Sequence, residues 1–431
     1  MLVWIGQIVS QLGSSMTGFG VSIWLYQQTG QATTLTWAMA SFFAPVVFLS
    51  PIAGTIVDRS NRKLVMITTD LAAGVTTILM LLLLATGNLQ VWHIFVLNFI
   101  NGAFNSLQFP AFSAAITMMV KKEDYARTSG LMQLGGSASS IFAPAAAAAL
   151  LAVIGLQGLL IIDIVTFVFA VGAILMITIP EPVRGSAETD PSQGSFWHET
   201  AYGFTYIWQR PSLLGLQLVF MGINLTATFG FAIVAPMILA STNNNEILLG
   251  TTQSFGAIGG VVGGLLLGVW GGTQKKVHGV LGGMLFGSIF GSVMMGLATG
   301  ITLWAAASFL NGFSLPFING SNQAIWQAKV APEIQGRVFS VRRLIAQVMA
   351  PIMTMIAGPL ADNIFEPAMM PDGAWANSFG WLVGTGPGAG MSLMLVISGI
   401  LGIGVALLGY SSRVVRDAES LLPDHKVAVA G

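Results

Sequence analysis

The 431-residue chain is 54% hydrophobic and 8% charged, with 17 Lys and Arg balanced by 17 Asp and Glu. A water-soluble protein carries about 25% charged residues, so much of this surface must face the lipid bilayer, and the class is an integral membrane protein. Zero net charge gives no hint of a nucleic-acid partner. The absence of cysteine excludes disulfides and thiolate metal sites, and the histidines (93, 198, 278 and 425) form no ligand pair, so no metal or cofactor is expected.

A membrane-crossing helix takes about 20 mostly apolar residues. Polar and Gly/Pro-marked breaks divide the chain into twelve spans, roughly 2–27, 33–57, 64–86, 91–118, 128–153, 158–179, 212–240, 248–270, 278–298, 302–327, 338–361 and 388–410. Met1 leads almost at once into the first, without a basic n-region or cleavage site, so the start reads as a span rather than a signal peptide. All 17 Lys and Arg residues follow even-numbered spans or flank the break behind them. They are Arg59, Arg62 and Lys63; Lys121, Lys122 and Arg127; Arg184 and Arg210; Lys275 and Lys276; Lys329, Arg337, Arg342 and Arg343; Arg413, Arg416 and Lys426. The loops after odd-numbered spans hold only acids, namely Glu246, Asp362, Glu366 and Asp372. Basic loops stay in the cytoplasm, so an all-α protein of twelve transmembrane helices is expected, with both chain ends inside. The longest outer loop, 362–387, contains "GTGPGAG" and reads as a flexible turn, since no strand precedes it and Pro387 lacks an N–H.

The chain also repeats itself. Phe99, Asn101, Gly102, Glu123 and Arg127 match Phe309, Asn311, Gly312, Glu333 and Arg337 at a constant offset of 210. Two six-helix halves of like polarity follow, related by a pseudo-twofold along the membrane normal. They are residues 1–179 and 212–410, joined by a cytoplasmic linker at 180–211 and followed by a tail at 411–431. The linker's aromatic second part, 196–208, reads as a helix lying on the membrane surface.

The stretch "GTIVDRSNRK" at 54–63 sets Asp58, Arg59, Arg62 and Lys63 between apolar runs. Gly54, Asp58, Arg59, Arg62 and Lys63 fit the pattern G-x-x-x-D-[RK]-x-G-[RK]-[RK], with Asn61 in place of its second glycine. On this motif, on "WIGQIVSQLGSSMTGFGVSIWLYQQTG" and on "GRVFS", the chain resembles the major facilitator superfamily. Within it, the resemblance is to the macrolide-efflux and enterobactin-exporter branch of drug–proton antiporters. Asn tolerates a left-handed turn better than other non-glycine residues, which makes the departure at Asn61 mild. The resemblance implies a latch that holds the cytoplasmic side shut in one state. In it Asp58 faces a helix N-terminus, and Arg59 and Arg62 pair with acids. It also implies a second set of cytoplasmic charge pairs in Glu123, Arg127, Glu333 and Arg337. In span five, Gly130 and Pro144 match an antiporter motif whose other positions are small here; an Ala-rich packing face is the alternative.

By the same resemblance, spans one, four, seven and ten line a central cavity, and these spans carry amide stripes. Span four has Asn98, Asn101, Asn105 and Gln108 on one helical face; span one has Gln7 and Gln11. Span seven has Gln217, Asn224 and Thr228; span ten has Asn319, Gln323 and Gln327. Amides facing lipid are costly, so these faces point inward, to a cavity or to interhelical hydrogen bonds. Such a cavity would be polar but uncharged, with aromatic surface nearby, and would suit a bulky neutral or amphipathic solute. Two acids fall inside spans, Asp70 and Asp163, and are candidates for proton coupling. The alternative for Asp70 is pairing with the cytoplasmic basic cluster. For Asp163, near the outer end of its span, it is an interface role.

The expected function is secondary active export of a small-molecule substrate, drug-like, macrolide-like or siderophore, from a bacterial cell across its plasma (inner) membrane. The coupling ion is a proton or Na⁺, and the working unit a monomer. A lipid or lysolipid transporter of the same fold is one other reading; a non-transporting receptor or assembly partner is another. Nothing resembles a nucleophile–base pair, so an enzyme is not expected.

Overall fold

The computed structural model describes residues 2–119, 125–176 and 196–423, and all the regular elements among them are helices. The first set is α1 (Leu2–Thr29), α2 (Ala32–Arg59), α3 (Arg62–Ala85), α4 (Val91–Met119) and α5 (Tyr125–Leu175). A short α6 (Phe196–Trp208) leads to α7 (Pro211–Ser241), α8 (Glu246–Trp270) and α9 (Lys276–Phe286), which a π-helical turn continues into α10 (Met294–Leu297). Then come α11 (Ile301–Lys329), α12 (Pro332–Gln347) and α13 (Ala350–Leu360), the last continued by a π-helical turn, Ala361–Phe365, into α14 (Glu366–Met369). The chain closes with α15 (Ala376–Val383), α16 (Ala389–Ser411), α17 (Arg413–Arg416) and α18 (Ala418–Leu421).

Among the described residues, nine helical stretches are long and apolar enough to cross a membrane. One of them, Gly136–Leu175, has 40 residues, about twice the length a single crossing takes. Gly155, at φ 64° and ψ −177°, breaks α5 into two arms. A side chain is disfavoured in that conformation, so glycine marks the corner. The break falls in the gap expected between spans five and six.

The internal repeat is visible in packing. Gly102 of α4 lies against the Phe42 carbonyl of α2, and Gly312 of α11 lies against the Gly256 carbonyl of α8; a Cβ at either would overlap that carbonyl. The offset of 210 seen in the sequence therefore joins two equivalent helix crossings.

Among the described residues, the apolar core is continuous at one end and divided at the other. Toward the acidic loops, one cluster joins both halves, with Ile23, Leu35 and Leu159 from the first and Ile233, Leu249, Ala357 and Met394 from the second. Toward the basic loops the cores separate. Val57, Val65, Met66, Ala111 and Ile174 form one, while Leu216, Val280, Trp326, Val338 and Val341 belong to the other. Among the described residues, the core is thus shared at the acidic-loop end and separate toward the basic-loop end.

Hydrogen bonds add to the seal. Asp362, just past α13, accepts from the backbone N–H groups of Ala32 at 2.9 Å and Thr33 at 2.7 Å, at the start of α2. Gln31, the N-cap position of α2, makes no side-chain cap of its own, so a carboxylate from the opposite half takes that place. Gln27 Nε2 donates to Glu246 at 2.8 Å, Trp37 Nε1 to the Met355 carbonyl at 3.1 Å, and Ser254 Oγ to the Ile141 carbonyl at 2.6 Å. Gly358 packs on Thr33 and Thr36, and Gly250 on the Pro144 carbonyl.

The 362–387 stretch is more ordered than a flexible turn. The π-helical turn and α14 extend α13 to Met369, α15 follows, and Glu366 accepts from the backbone N–H groups of Gly388 at 3.0 Å and Met391 at 2.9 Å. The glycine-rich run ends at a helix N-terminus that an internal carboxylate occupies. In the linker region, α6 docks on α12. Gly203 meets the Arg337 carbonyl and Val341, while the Tyr206 hydroxyl donates to the Lys329 carbonyl at 3.3 Å.

Candidate functional site

Asp70 joins two of the amide stripes. One carboxylate oxygen accepts from Gln7 Nε2 of α1 at 2.8 Å, the other from Gln108 Nε2 of α4 at 3.0 Å. Asn105 Nδ2 donates to Gln108 Oε1 at 3.1 Å, extending the chain along α4. Asp70 is 5% exposed, and eight helical residues separate it from Arg62, placing it about 12 Å inside α3. Its described partners are neutral amides, not the basic cluster. An amide can donate to a carboxylate or, turned over, accept from a carboxylic acid, so this arrangement serves both protonation states.

Asp163 is held in the same manner by hydroxyls. Ser14 Oγ of α1 and Thr77 Oγ1 of α3 each donate to it at 2.9 Å. It is 4% exposed. Eight residues beyond the Gly155 corner, it lies about 12 Å into the second arm of α5. Gln7 and Ser14 are seven residues apart on α1, and Asp70 and Thr77 seven apart on α3. The two carboxyl groups, each held by side chains of neighbouring helices at positions seven residues apart, therefore lie roughly 10 Å apart. The repeated spacing of seven was visible in the sequence, but which hydroxyls meet which acid was not.

The opposite half contributes a cation. Arg342 lies ten residues beyond Pro332, the first residue of α12, and therefore about 15 Å into the helix. Its Nη1 donates to Gln323 Oε1 of α11 at 2.8 Å, and its guanidinium carbon is 5.1 Å from the Trp326 ring centre and 5.6 Å from that of Phe339. Gln217 Nε2 of α7 donates to the Arg342 carbonyl at 2.9 Å, so α7, α11 and α12 converge there. A guanidinium therefore stands beside the amide stripe of α11, where the sequence reading expected no charge. Arg342 already falls inside the expected span eleven, 338–361; the helix itself begins earlier, at Pro332, a residue favoured at a helix start.

The remaining stripe residues divide. Gln11, Asn319 and Gln327 are exposed, and Asn101 and Thr228 are half-buried. Asn98 Nδ2 bonds the Ala38 carbonyl of α2 at 3.0 Å, an interhelical bond, and Asn224 Nδ2 bonds the Phe220 carbonyl of its own helix at 2.9 Å.

A model of the Major Facilitator Superfamily matches residues 3–354. The chain belongs to that superfamily. It is a multi-pass transporter of the inner (plasma) membrane, not an enzyme, and its substrates are small molecules. Macrolide efflux protein A of Streptococcus pyogenes is 28% identical over 368 residues, 84% of this chain and 89% of that protein. The protein of the same name from Enterococcus faecalis is 29% identical over 329 residues, 75% of this chain and 99% of the relative. The solved structure of a bacterial homolog to the human lysosomal transporter Spinster has the same fold, with a TM-score of 0.66 over 94% of both chains at 13% identity.

Within the superfamily's loop motif, the surroundings of Gly54 and the side chains of Asp58, Arg59 and Arg62 lie outside the described residues, as do the surroundings of Gly130, the side chains of Arg127 and Glu333, and all of Glu123. Asn61 is described, and it is not in a left-handed turn. At φ −66° and ψ 115° it is the N-cap of α3, its side chain accepting from Leu64 N–H at 3.0 Å. Glycine has no side chain to cap with, which accounts for asparagine here. Lys63 Nζ donates to the Leu175 carbonyl at the end of α5 at 3.3 Å. Arg337 is set 6.0 Å from the ring centre of Tyr202 in α6.

Proposed function

We propose that this protein is a secondary active exporter of bulky neutral or amphipathic small molecules, macrolide-like compounds among them, working by alternating access. The observation that carries the reading is a pair of halves sealed at the acidic-loop end and parted toward the basic-loop end, with polar stripes between them. With basic loops inside, this is the state open to the cytoplasm. The similarity to two proteins named for macrolide efflux supports outward transport.

Coupling runs through Asp70 and Asp163, whose described partners can serve a carboxylate or a carboxylic acid. A proton enters from outside in one state, the halves rock, and the proton leaves inward in the other. The Gly54–Lys63 motif and the Glu123, Arg127, Glu333 and Arg337 pairs hold the cytoplasmic end in the closed state.

The test is efflux from proteoliposomes of a panel of macrolides, siderophores and lysolipids, under imposed proton or Na⁺ gradients. Macrolide efflux accelerated by a proton gradient is expected, and D70N and D163N should retain exchange while losing that acceleration. Undiminished gradient dependence in both variants removes the proton role. Faster movement of lysolipid than of any drug points to the lipid reading, and no flux of any solute to a receptor.

A further inference from the structure

We propose that Arg342 is a recognition point for an oxyanion, carboxylate or phosphate, carried on the apolar body of the transported solute. The inference rests on the transporter reading above and names the chemical class of solute it selects.

The Arg342 guanidinium is half-buried on the face of α11 that carries Asn319, Gln323 and Gln327 at successive helical turns, the first and last of them exposed. It makes one side-chain hydrogen bond, to Gln323, and rests against the rings of Trp326 and Phe339. No carboxylate among the described residues lies within ion-pair distance of it. A guanidinium offers five N–H donors in a planar fork, so most of its donor capacity is unused by protein. Aromatic faces stabilise a cation without consuming those donors.

Its backbone and its head are both fixed. Gln217, fully buried, holds the Arg342 carbonyl from α7, while Gln323 holds one end of the fork from α11. A cation inside a membrane protein without a counter-charge is expensive, and here two helices position it. Guanidinium fits carboxylate and phosphate through paired parallel hydrogen bonds, which an ammonium cannot reproduce. The Trp326 indole, fully buried, backs the guanidinium, and the half-buried Phe339 ring supplies apolar surface for the rest of an amphipathic anion. Arg343, one residue on, is exposed and offers no such setting.

The experiment measures binding to the purified full-length protein in nanodiscs by scintillation proximity. Its probes are a long-chain carboxylate, its methyl ester, and a lysophosphatidate. Wild type should favour the carboxylate over the ester by ten-fold or more. R342Q should bring that ratio close to one, R342K should retain part of it, and R343Q should leave it unchanged. Q323L, which frees the fork but keeps the charge, should lower the ratio without abolishing it and guards against R342Q failing to fold. Equal binding of acid and ester by wild type, or an acid preference that survives R342Q, overturns the assignment. Binding of lysophosphatidate well above the carboxylate, lost in R342Q, identifies the oxyanion as a lipid phosphate; the reverse order identifies a solute carboxylate. Proteoliposome flux separates the two readings. An anion bound through Arg342 but never moved refutes the exporter and leaves the site standing. Transport of the anion that ignores R342Q does the opposite.

Discussion

Removing the Asp362 carboxylate should open the acidic-loop end. In the present state its two oxygens accept from Ala32 and Thr33 N–H at 2.9 and 2.7 Å, and the bond crosses between halves. A helix cap contributes about 1 kcal/mol and ranges to about 2, and a carboxylate at a helix N-terminus adds roughly 0.3–1 kcal/mol. D362A therefore costs the sealed state about 1.5–3 kcal/mol. The other state loses little, because the contact breaks there anyway. At about 1.4 kcal/mol per factor of ten, the ratio of sealed to open molecules falls roughly 10- to 100-fold. The chain has no cysteine, so Q28C and I247C, at exposed positions on opposite halves, can be spin-labelled without background. Pulsed EPR on this pair should give a short distance in the parent and a second, longer population in D362A. D362N, which keeps an acceptor but loses the charge, should fall between. An identical distribution in all three would falsify the claim that this cap holds the end shut.

Other expectations follow from the same contacts. G358V should shift that distribution further toward the long distance, because a side chain there collides with the Thr33 backbone. N61A should lower stability by about 1 kcal/mol and N61G by only a few tenths, read as a fall in Tm with flux retained; equal Tm in all three proteins would contradict the cap. G155A forces alanine into a positive φ, which costs about 1–3 kcal/mol, and should reduce Tm or yield of folded protein. Q108L removes one donor from Asp70, and should weaken the dependence of efflux on the proton gradient more than Q11L does.

The membrane class and the matched glycines of the repeat were legible because each is a periodic property, set by burial in lipid and by chain spacing. Individual partnerships were not. Gln7, Gln108 and Asp70 lie on three different helices, and nothing in local spacing says which acid meets which amide. Arg342 lies within the expected span eleven and was counted with the basic residues that set the orientation; nothing in its spacing says that Gln323, Trp326 and Phe339 surround it. Asn61 was read by its tolerance for a turn, whereas the structure uses its side-chain oxygen. The partnership of Asp362 with α2 was equally out of reach, since it joins residues some 330 positions apart in the chain.

The glycine crossings that pair α2 with α4 and α8 with α11 have a mechanical consequence. Helices locked backbone to backbone resist bending, so each pair acts as a stiff lever. The 28 residues of α2 make a lever about 42 Å long. A tilt of about 10° at the sealed end then carries the far end through roughly 7 Å. Losing a few hydrogen bonds at one membrane face is thereby geared into a displacement as wide as a solute at the other.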